Sequence, residues 1–182
     1  LSESRLAFVP MVDRDVPCPN PVLCQVFTVR SGRDIVVAEI TGGAALTQTV
    51  SNTEWASSVA ASTDPGVVYY TKAGSSEVFA LNVDGGSATP IHDFGTAGIA
   101  RDVHAAGGMV TAIVGGLVKV WSDGVTGDPI QQDTAGRLFL LNLSGGQAIE
   151  LAVPATLFRH PALSPDGSRV VVEAYKLQLI PI

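Results

Sequence analysis

The amino-acid sequence predicts an all-β fold built from repeated units, and three observations support this prediction. Glycine and proline account for 19 and 11 of the 182 residues, while charged residues make up only 15%. That balance favours many short elements joined by turns. Two kinds of segment recur along the chain, each with the pattern of strand and turn residues. No window of about a dozen residues combines helical spacing of apolar residues with capping residues at its ends.

The first recurring segment is an apolar run that ends in a glycine pair. Its copies are DIVVAEITGG (34–43), EVFALNVDGG (77–86) and RLFLLNLSGG (137–146). In the second copy, Phe79, Leu81 and Val83 alternate with their neighbours as strand residues do. Both faces are largely apolar, which predicts strands covered on both sides. The glycine pair predicts a tight hairpin, and the more polar stretch after it suits an exposed outer strand.

The second recurring segment is a strand, a turn and another strand, and its clearest copy is ALSPDGSRVVVEA (162–174). Pro165 presets the first turn dihedral, Asp166 can bind the backbone beyond it, and Gly167 suits a left-handed conformation. Looser copies lie at 59–72 and 103–116. The turn therefore predicts a hairpin between two strands of one unit.

The spacing of the glycine pairs predicts the architecture. The pairs begin at residues 42, 85 and 145, so they are 43 and 60 residues apart. A period near 40 to 45 residues with four strands per unit is typical of β-propeller blades. We expect a single propeller domain or portion whose blades span about 1–54, 55–98, 99–157 and 158–182, the middle two complete and the outer two partial. Segment 5–12 is expected to be the second strand of the first blade.

Two insertions are the parts of the chain least like a blade. Segment 119–136 predicts a hairpin or loop between the second and third strands of its blade, and 13–32 is a similar extension of the first unit. The first insertion carries Cys18 and Cys24, and the later one carries Trp121, Asp123 and Asp128. We expect both insertions to contact a partner, because loops on a rigid scaffold commonly do.

The repeats resemble the PD40 (WD40-like) repeats of TolB-type β-propellers. Ala162, Ser164, Pro165, Asp166 and Gly167 match the first half of the repeat, and 78–86 and 138–146 match the second half. The resemblance implies a propeller fold. Similar propellers serve as periplasmic interaction proteins, or as entrance domains fused to prolyl-oligopeptidase-like or tricorn-like peptidases and to some amidohydrolases. The Gly-His and Trp-Asp pairs of true WD40 repeats are absent.

Charge and hydropathy exclude two classes of partner. A net charge of −6 and a pI near 4.9 oppose binding to phosphate backbones, which relies on clustered Lys and Arg. No apolar stretch approaches the roughly 20 residues of a membrane helix, so no transmembrane segment is expected. Cys18 and Cys24 are separated by five residues in a proline-rich stretch, which suits a local disulfide and an oxidising compartment. The alternative is a pair of reduced thiols.

The sequence predicts no catalytic site and no metal site. Gly-x-Ser-x-Gly is absent, and His92, His104 and His160 are scattered, which disfavours zinc. Asp123 and Asp128 could offer oxygens to calcium, but the segment lacks alternating acidic ligands, so a solvated turn is the favoured interpretation. We therefore expect no cofactor and no enzymatic activity in this chain.

The polar candidates lie on the predicted innermost strands, where propellers line a central channel. Arg101, Asp102 and His104 are in the third blade, and Arg159 and His160 take the equivalent place in the fourth. Strand alternation predicts that Arg101 and Val103 point one way while Asp102 and His104 point the other. The favoured alternative to channel lining is an Asp-His or Arg-Asp contact that satisfies polar groups between blades.

These observations predict a non-catalytic propeller module that presents a surface or channel to a protein or small ligand outside the cytoplasm. The two partial blades predict that a further chain, or the rest of a longer propeller, completes the structure, because open sheet edges tend to pair. A self-closed four-bladed ring is the alternative architecture. The alternative function is the access-filtering propeller of a larger hydrolase whose catalytic domain lies outside this chain.

Overall fold

The structure is a computed structural model that describes residues 5–17, 26–32, 34–41, 44–50, 53, 56–72, 74–115, 117–120, 130–133, 136–153 and 157–175. Within these ranges the chain forms seventeen β-strands and one short 3₁₀ turn at Gly95–Ala97. The strands pair antiparallel throughout the described residues. The predicted all-β class is confirmed.

The second blade is a complete four-stranded sheet in chain order. Its strands are β6 (Ala56–Ala61), β7 (Val67–Lys72), β8 (Glu77–Asn82) and β9 (Ser87–Asp93). In β8, Val78 packs toward the third blade and Leu81 toward the first, and both are fully buried. The outermost strand, β9, is largely exposed. The repeat therefore predicted correctly both the doubly covered strand and the polar outer strand.

The third blade has the same order of strands with an insertion. Its sheet contains β10 (Ala100–Ala106), β11 (Met109–Val114), β14 (Arg137–Asn142) and β15 (Ala148–Leu151). Between its second and third strands, β12 (Leu117–Val120) and β13 (Ile130–Asp133) pair only with each other among the described strands. This arrangement confirms the predicted hairpin within 119–136.

The first and fourth blades are partial in the described residues. The first contains β1 (Arg5–Phe8), β4 (Val36–Thr41) and β5 (Ala44–Thr49), and the fourth contains β16 (Leu157–Leu163) and β17 (Val170–Tyr175). An inserted pair, β2 (Met11–Pro17) and β3 (Val26–Gly32), lies between β1 and β4. The expectation of one strand over 5–12 is wrong, because pairing with β4 ends at Phe8 and Met11 already belongs to the inserted hairpin.

The blades stack in chain order through three apolar interfaces. The first joins Ile35, Val37 and Val50 to Ala56, Val68, Tyr70, Leu81 and Val83. The second joins Ala60, Tyr69 and Val78 to Ala100, Val103, Val110, Ala112, Val114 and Leu141. The third joins Ile113 and Leu138 to Val170 and Val172. Removal of these side chains from water is the main force that holds one blade to the next.

Glycine provides the left-handed residues of the turns at the predicted places. In each described glycine pair the second residue has a positive φ, 63° at Gly86 and 65° at Gly146. Gly167 in the Ser-Pro-Asp-Gly turn has φ of 70°. These values confirm the hairpins that the repeats predict, since other residues rarely adopt this conformation.

Candidate functional site

A β-bulge recurs in the innermost strand of three consecutive blades. One extra residue separates Ala56 from Ser58 in β6, Arg101 from His104 in β10, and Arg159 from Ala162 in β16. Bulges bend a strand and re-aim its side chains. Asp102 and His160 occupy equivalent places in their bulges, with φ of 50° and 48°, a conformation that few non-glycine residues adopt. The predicted equivalence of Arg101 to Arg159 is therefore confirmed by the register.

The bulge overturns the predicted orientation of the β10 side chains. Arg101 pairs with Ile113 and His104 pairs with Thr111, which are two residues apart on one strand. Arg101 and His104 therefore share the face toward the fourth blade, while Val103 packs against the second blade. Simple alternation had placed Arg101 with Val103, and it fails because the extra residue shifts the period by one.

His104 connects the third blade to the fourth. The backbone N–H of Leu163 donates a hydrogen bond to His104 Nδ1 over 3.0 Å. Leu163 is buried, and the hydrogen bond itself is partly buried. On the partner strand, the fully buried Thr111 donates through Oγ1 to the His104 carbonyl over 3.3 Å. His104 thus makes a polar contact between blades, but its partner is a backbone N–H and not the aspartate that the sequence interpretation offered.

Ser58 plays the equivalent part between the second and third blades. The backbone N–H of Val103 donates to Ser58 Oγ over 3.2 Å. Ser58 Oγ also lies 2.8 Å from Oγ1 of the fully buried Thr71, as does Ser57 Oγ. Ser58 pairs with Thr71 as His104 pairs with Thr111. Sequence reasoning missed Ser58 as an inter-blade contact, because nothing in its own segment marks it as one.

The residue that donates the hydrogen bond differs between the two junctions, because a proline stands at the equivalent position in the fourth blade. The position equivalent to Val103 in the fourth blade is Pro161, because both follow the left-handed bulge residue. Proline has no N–H to donate. The donor in the fourth blade is instead Leu163, two residues further along the strand. We call these two contacts, Ser58 to Val103 and His104 to Leu163, the inter-blade seam.

Arg101 lies at the base of the inserted hairpin β12–β13. Its Nε donates to the Gly115 carbonyl over 3.5 Å, and its Nη1 lies 3.4 Å from Asp102 Oδ2. Gly115 precedes the insertion and Gly136 ends it, and a Cβ at Gly136 would lie 3.3 Å from Arg101 Nη2. The Arg101 side chain is only 12% exposed. Its Nη2 has no hydrogen-bond partner among the residues that the structure describes.

The fourth-blade candidates form a separate and more exposed pair. His160 Nδ1 lies 2.9 Å from Glu173 Oε2, and the His160 side chain is 77% exposed. Arg159 is also exposed. The five channel candidates thus fall into local contacts in two blades, and channel lining stays a prediction.

Trp121, Asp123, Asp128, Cys18 and Cys24 lie outside the described residues. No group of three or more potential metal ligands occurs in the described part of the chain.

The Ser-Pro-Asp-Gly turn is held by its own carboxylate. Asp166 Oδ1 accepts hydrogen bonds from Ser164 Oγ over 2.5 Å and from the Ser168 N–H over 3.0 Å. Hydrogen bonds lower the pKa of Asp166 to about 2. The bond from the Ser164 hydroxyl contributes most, followed by those from the Ser168 N–H and the Ser168 hydroxyl. These contacts stay within the turn, so Asp166 stabilises structure and offers no free acid for catalysis.

Comparison with solved structures decides the fold. The chain matches TolB from Acinetobacter baumannii with a TM-score of 0.57 and 11% identity, over 80% of this chain and 33% of that one. The fold is a TolB-like β-propeller. A chain of the nidogen/laminin complex matches with a TM-score of 0.55 and 12% identity, over 81% of this chain and 52% of that one. The propeller chain thus spans about a third of the TolB length. No family model and no curated protein sequence matches it.

Both inserted hairpins of the propeller leave their blades at the same point in the strand order. One lies between β1 and β4, and the other between β11 and β14, so each connects a second strand to a third. In an antiparallel blade this connection lies at the end opposite the turn between the first two strands. Those first turns meet at one end in the third and fourth blades, where a Cβ on Gly107 would lie 2.3 Å from the Asp166 carbonyl carbon.

In the described part of the propeller no helix is long and apolar enough to cross a membrane.

Proposed function

We propose that this chain is a non-catalytic β-propeller module that binds protein partners and whose two outer blades are covered by further blades. The observation that carries the proposal is the pair of exposed apolar faces at the two ends of the blade series. These faces are the outward side of β1 and the outward side of β17. A protein-binding role outside the cytoplasm agrees with the TolB-type resemblance and with the close spacing of Cys18 and Cys24 in the sequence.

The leading face belongs to the first blade. Ala7 packs toward the second blade, so Leu6 and Phe8 lie on the opposite side of β1. These side chains are 54% and 38% exposed. In the inner blades the corresponding side packs against a neighbouring blade. A further blade with an apolar face would remove Leu6 and Phe8 from water.

The trailing face belongs to the fourth blade. Val170 and Val172 pack toward the third blade, so Val171 points the other way and is 71% exposed. Ala162, its partner in the register, is exposed as well. Ala162 occupies the place of Ser58 and His104, so this face has a methyl group where the inner blades offer a hydrogen-bond acceptor. The contact that covers it is therefore apolar.

The inserted hairpins are the elements we propose for partner recognition. They come from the first and third blades, and the strand order places both opposite the end where the first turns of the blades meet. Loops and hairpins on a rigid scaffold can vary without cost to the core, which is why they carry recognition in many folds. Trp121, Asp123 and Asp128 and the Cys18–Cys24 segment are the candidate contact residues.

The polar groups of the inner strands support a structural role over catalysis. Arg101 contacts Asp102 and the Gly115 carbonyl, and His104 accepts from a backbone N–H. A general base or nucleophile needs a reactive group aimed at substrate and oriented by a second group. The contacts of Arg101 and His104 hold strands and blades together instead.

Charge substitution on the two faces tests the proposal. In a solution of the isolated chain, a second copy can cover these faces through a head-to-tail contact. We expect the unmodified chain to sediment as an assembly, and Phe8→Asp and Val171→Asp each to sediment as monomers. An equimolar mixture of the two variants should form a one-to-one complex, because one retains the trailing face and the other the leading face.

The matched control is Ile149→Asp. Ile149 is 58% exposed on the outer strand β15 of a blade that has neighbours on both sides. This variant should sediment like the unmodified chain. If the unmodified chain is a monomer, or if Ile149→Asp disrupts the assembly as strongly as the face variants, the proposal is wrong.

A further inference from the structure

The inter-blade seam uses two different acceptors for the same task. The Val103 N–H donates to the hydroxyl of Ser58, and the Leu163 N–H donates to the imidazole of His104. A serine hydroxyl keeps its lone pairs throughout the physiological pH range. An imidazole nitrogen loses its lone pair when it is protonated.

The geometry fixes the protonation state of His104 in the closed junction. A backbone N–H can only donate, so Nδ1 must accept, and the ring must be neutral with its proton on Nε2. Proton uptake at Nδ1 would set two N–H groups against each other. The Leu163 N–H would then be a donor without an acceptor at a position that is only 8% exposed.

The strands packed against β10 carry few charged or titratable groups. On β10 itself, Arg101 contacts Asp102. On β16, His160 pairs with Glu173, and Arg159 is exposed with a contact of its own. On β7, Lys72 lies over the Phe79 ring, while Tyr69 and Tyr70 are buried. The packed strands β6 and β11 carry no charged residue and no histidine.

We infer that His104 makes the junction between the third and fourth blades a proton-sensitive latch. The latch is closed while Nδ1 is unprotonated and accepts from Leu163. Acidification that protonates the ring opens this hydrogen bond and loosens β16 and β17 from β10 and β11. The junction between the second and third blades stays intact, because Ser58 does not change charge. The proton enters at Nδ1, and no other reactant is needed.

Amide hydrogen exchange measured residue by residue by NMR tests the latch. The readout is the protection of the Leu163 and Val103 amides, each corrected for its intrinsic exchange rate, between about pH 8 and about pH 5, the interval in which histidine changes charge. We expect Leu163 to lose protection by about tenfold or more on acidification, as a buried donor does when its acceptor is lost. Val103 should keep its protection.

Three variants separate the latch from general acid sensitivity. His104→Asn places an amide oxygen near the position of Nδ1, so it should retain the protection of Leu163 at both pH values. His104→Ala should leave Leu163 poorly protected at both. His160→Asn removes the neighbouring histidine of the fourth blade and should leave the response of Leu163 unchanged.

Two results would overturn the inference. One is protection of Leu163 that does not change with pH in the unmodified chain. The other is an unchanged pH response in His104→Asn. If His104→Ala does not fold, the comparison of His104→Asn with His160→Asn still decides the question. The result is independent of whether the outer faces are covered, because the latch lies between the third and fourth blades.

Discussion

Gly107 and Gly108 form the turn between β10 and β11, and only the first of them lies against the neighbouring blade. Gly107 has φ of 56°, and a Cβ there would lie 2.3 Å from the Asp166 carbonyl carbon. Gly108 has φ of 74° and open space around it. Gly107 thus makes room for the Ser-Pro-Asp-Gly turn of the fourth blade.

Alanine at the two glycines should therefore have different effects on stability. Gly108→Ala should lower the free energy of unfolding by about 1–2 kcal/mol, because it forces a Cβ into a left-handed residue. Gly107→Ala should lower the free energy of unfolding by that amount and by about 1–3 kcal/mol more, because the Asp166 backbone must move to admit the methyl group. Chemical denaturation of both variants measures the difference. Equal losses would show that the two turns do not touch.

The carboxylate of Asp166 predicts a local pH dependence. Its hydrogen bonds hold the pKa at about 2, below the ordinary value of 3.8. The unfolded chain therefore takes up the proton first as pH falls. The stabilisation is fully present above pH 3.8 and disappears as pH falls through about 2. A carbon-detected NMR titration of the Asp166 carboxyl should give a midpoint near 2.

Ser164→Ala is the matched variant for this titration. It removes the hydroxyl that lowers the pKa most, so the midpoint should move up toward 3.8. The difference in unfolding free energy between the native chain and Asp166→Asn should also shrink between pH 4 and pH 2, as Asp166 loses its charge. A native midpoint at the ordinary value would refute the hydrogen-bonded turn.

At the scale of elements, the inserted hairpin β12–β13 is an appendage of the third blade. Val114 and Arg137, on either side of it, are paired in the sheet. Deletion of residues 117–133 leaves Gly115, Gly116, Thr134, Ala135 and Gly136 as a short loop between them. We expect the free energy of unfolding to change by no more than about 1 kcal/mol, since loop length contributes weakly. Thermal and denaturant unfolding check this.

Gly136→Ala is a useful comparison for the deletion. A Cβ at this position would lie 2.7 Å from Ile113 Cγ2 in the core of the blade. This single methyl group should destabilise the fold by about 1–3 kcal/mol, more than loss of the whole hairpin. If the deletion abolishes cooperative unfolding, the hairpin is part of the blade after all.

Elements with a strong period could be predicted from sequence, and local irregularities could not. The alternation and glycine pairs of 77–86 and 137–146 predicted β8 and β14 with their hairpins. The bulge at Asp102 escaped prediction, because one extra residue in a strand changes its register without changing its composition. The orientation predicted for Arg101 failed for that reason.

The seam residues carry no signal of their own. Ser58 is an ordinary strand serine until the fold brings it to the Val103 N–H, 45 residues away in sequence. His104 stood out by type, but its acceptor role depends on Leu163, 59 residues further on. Long-range register sets such contacts, and a single sequence does not display it.

For the whole molecule, the period of the repeats predicted the propeller architecture correctly. Four strands per unit and alternating apolar faces require that blades cover each other, and the three apolar interfaces show that they do. On the outer blades the apolar side chains of Leu6, Phe8 and Val171 are exposed, because no described blade packs against that side. This contrast between covered and uncovered faces underlies the proposed function.

The intact mass of the isolated chain under native conditions shows whether the two outer faces are contact surfaces. If the outer faces are contact surfaces, native mass spectrometry should show assemblies at multiples of 18.8 kDa. Each chain should also lose two mass units relative to the reduced form if Cys18 and Cys24 are bridged. A single 18.8 kDa species at every concentration, with Phe8 and Val171 protected from solvent labelling, would contradict the account, because it would mean that the chain closes its own ring.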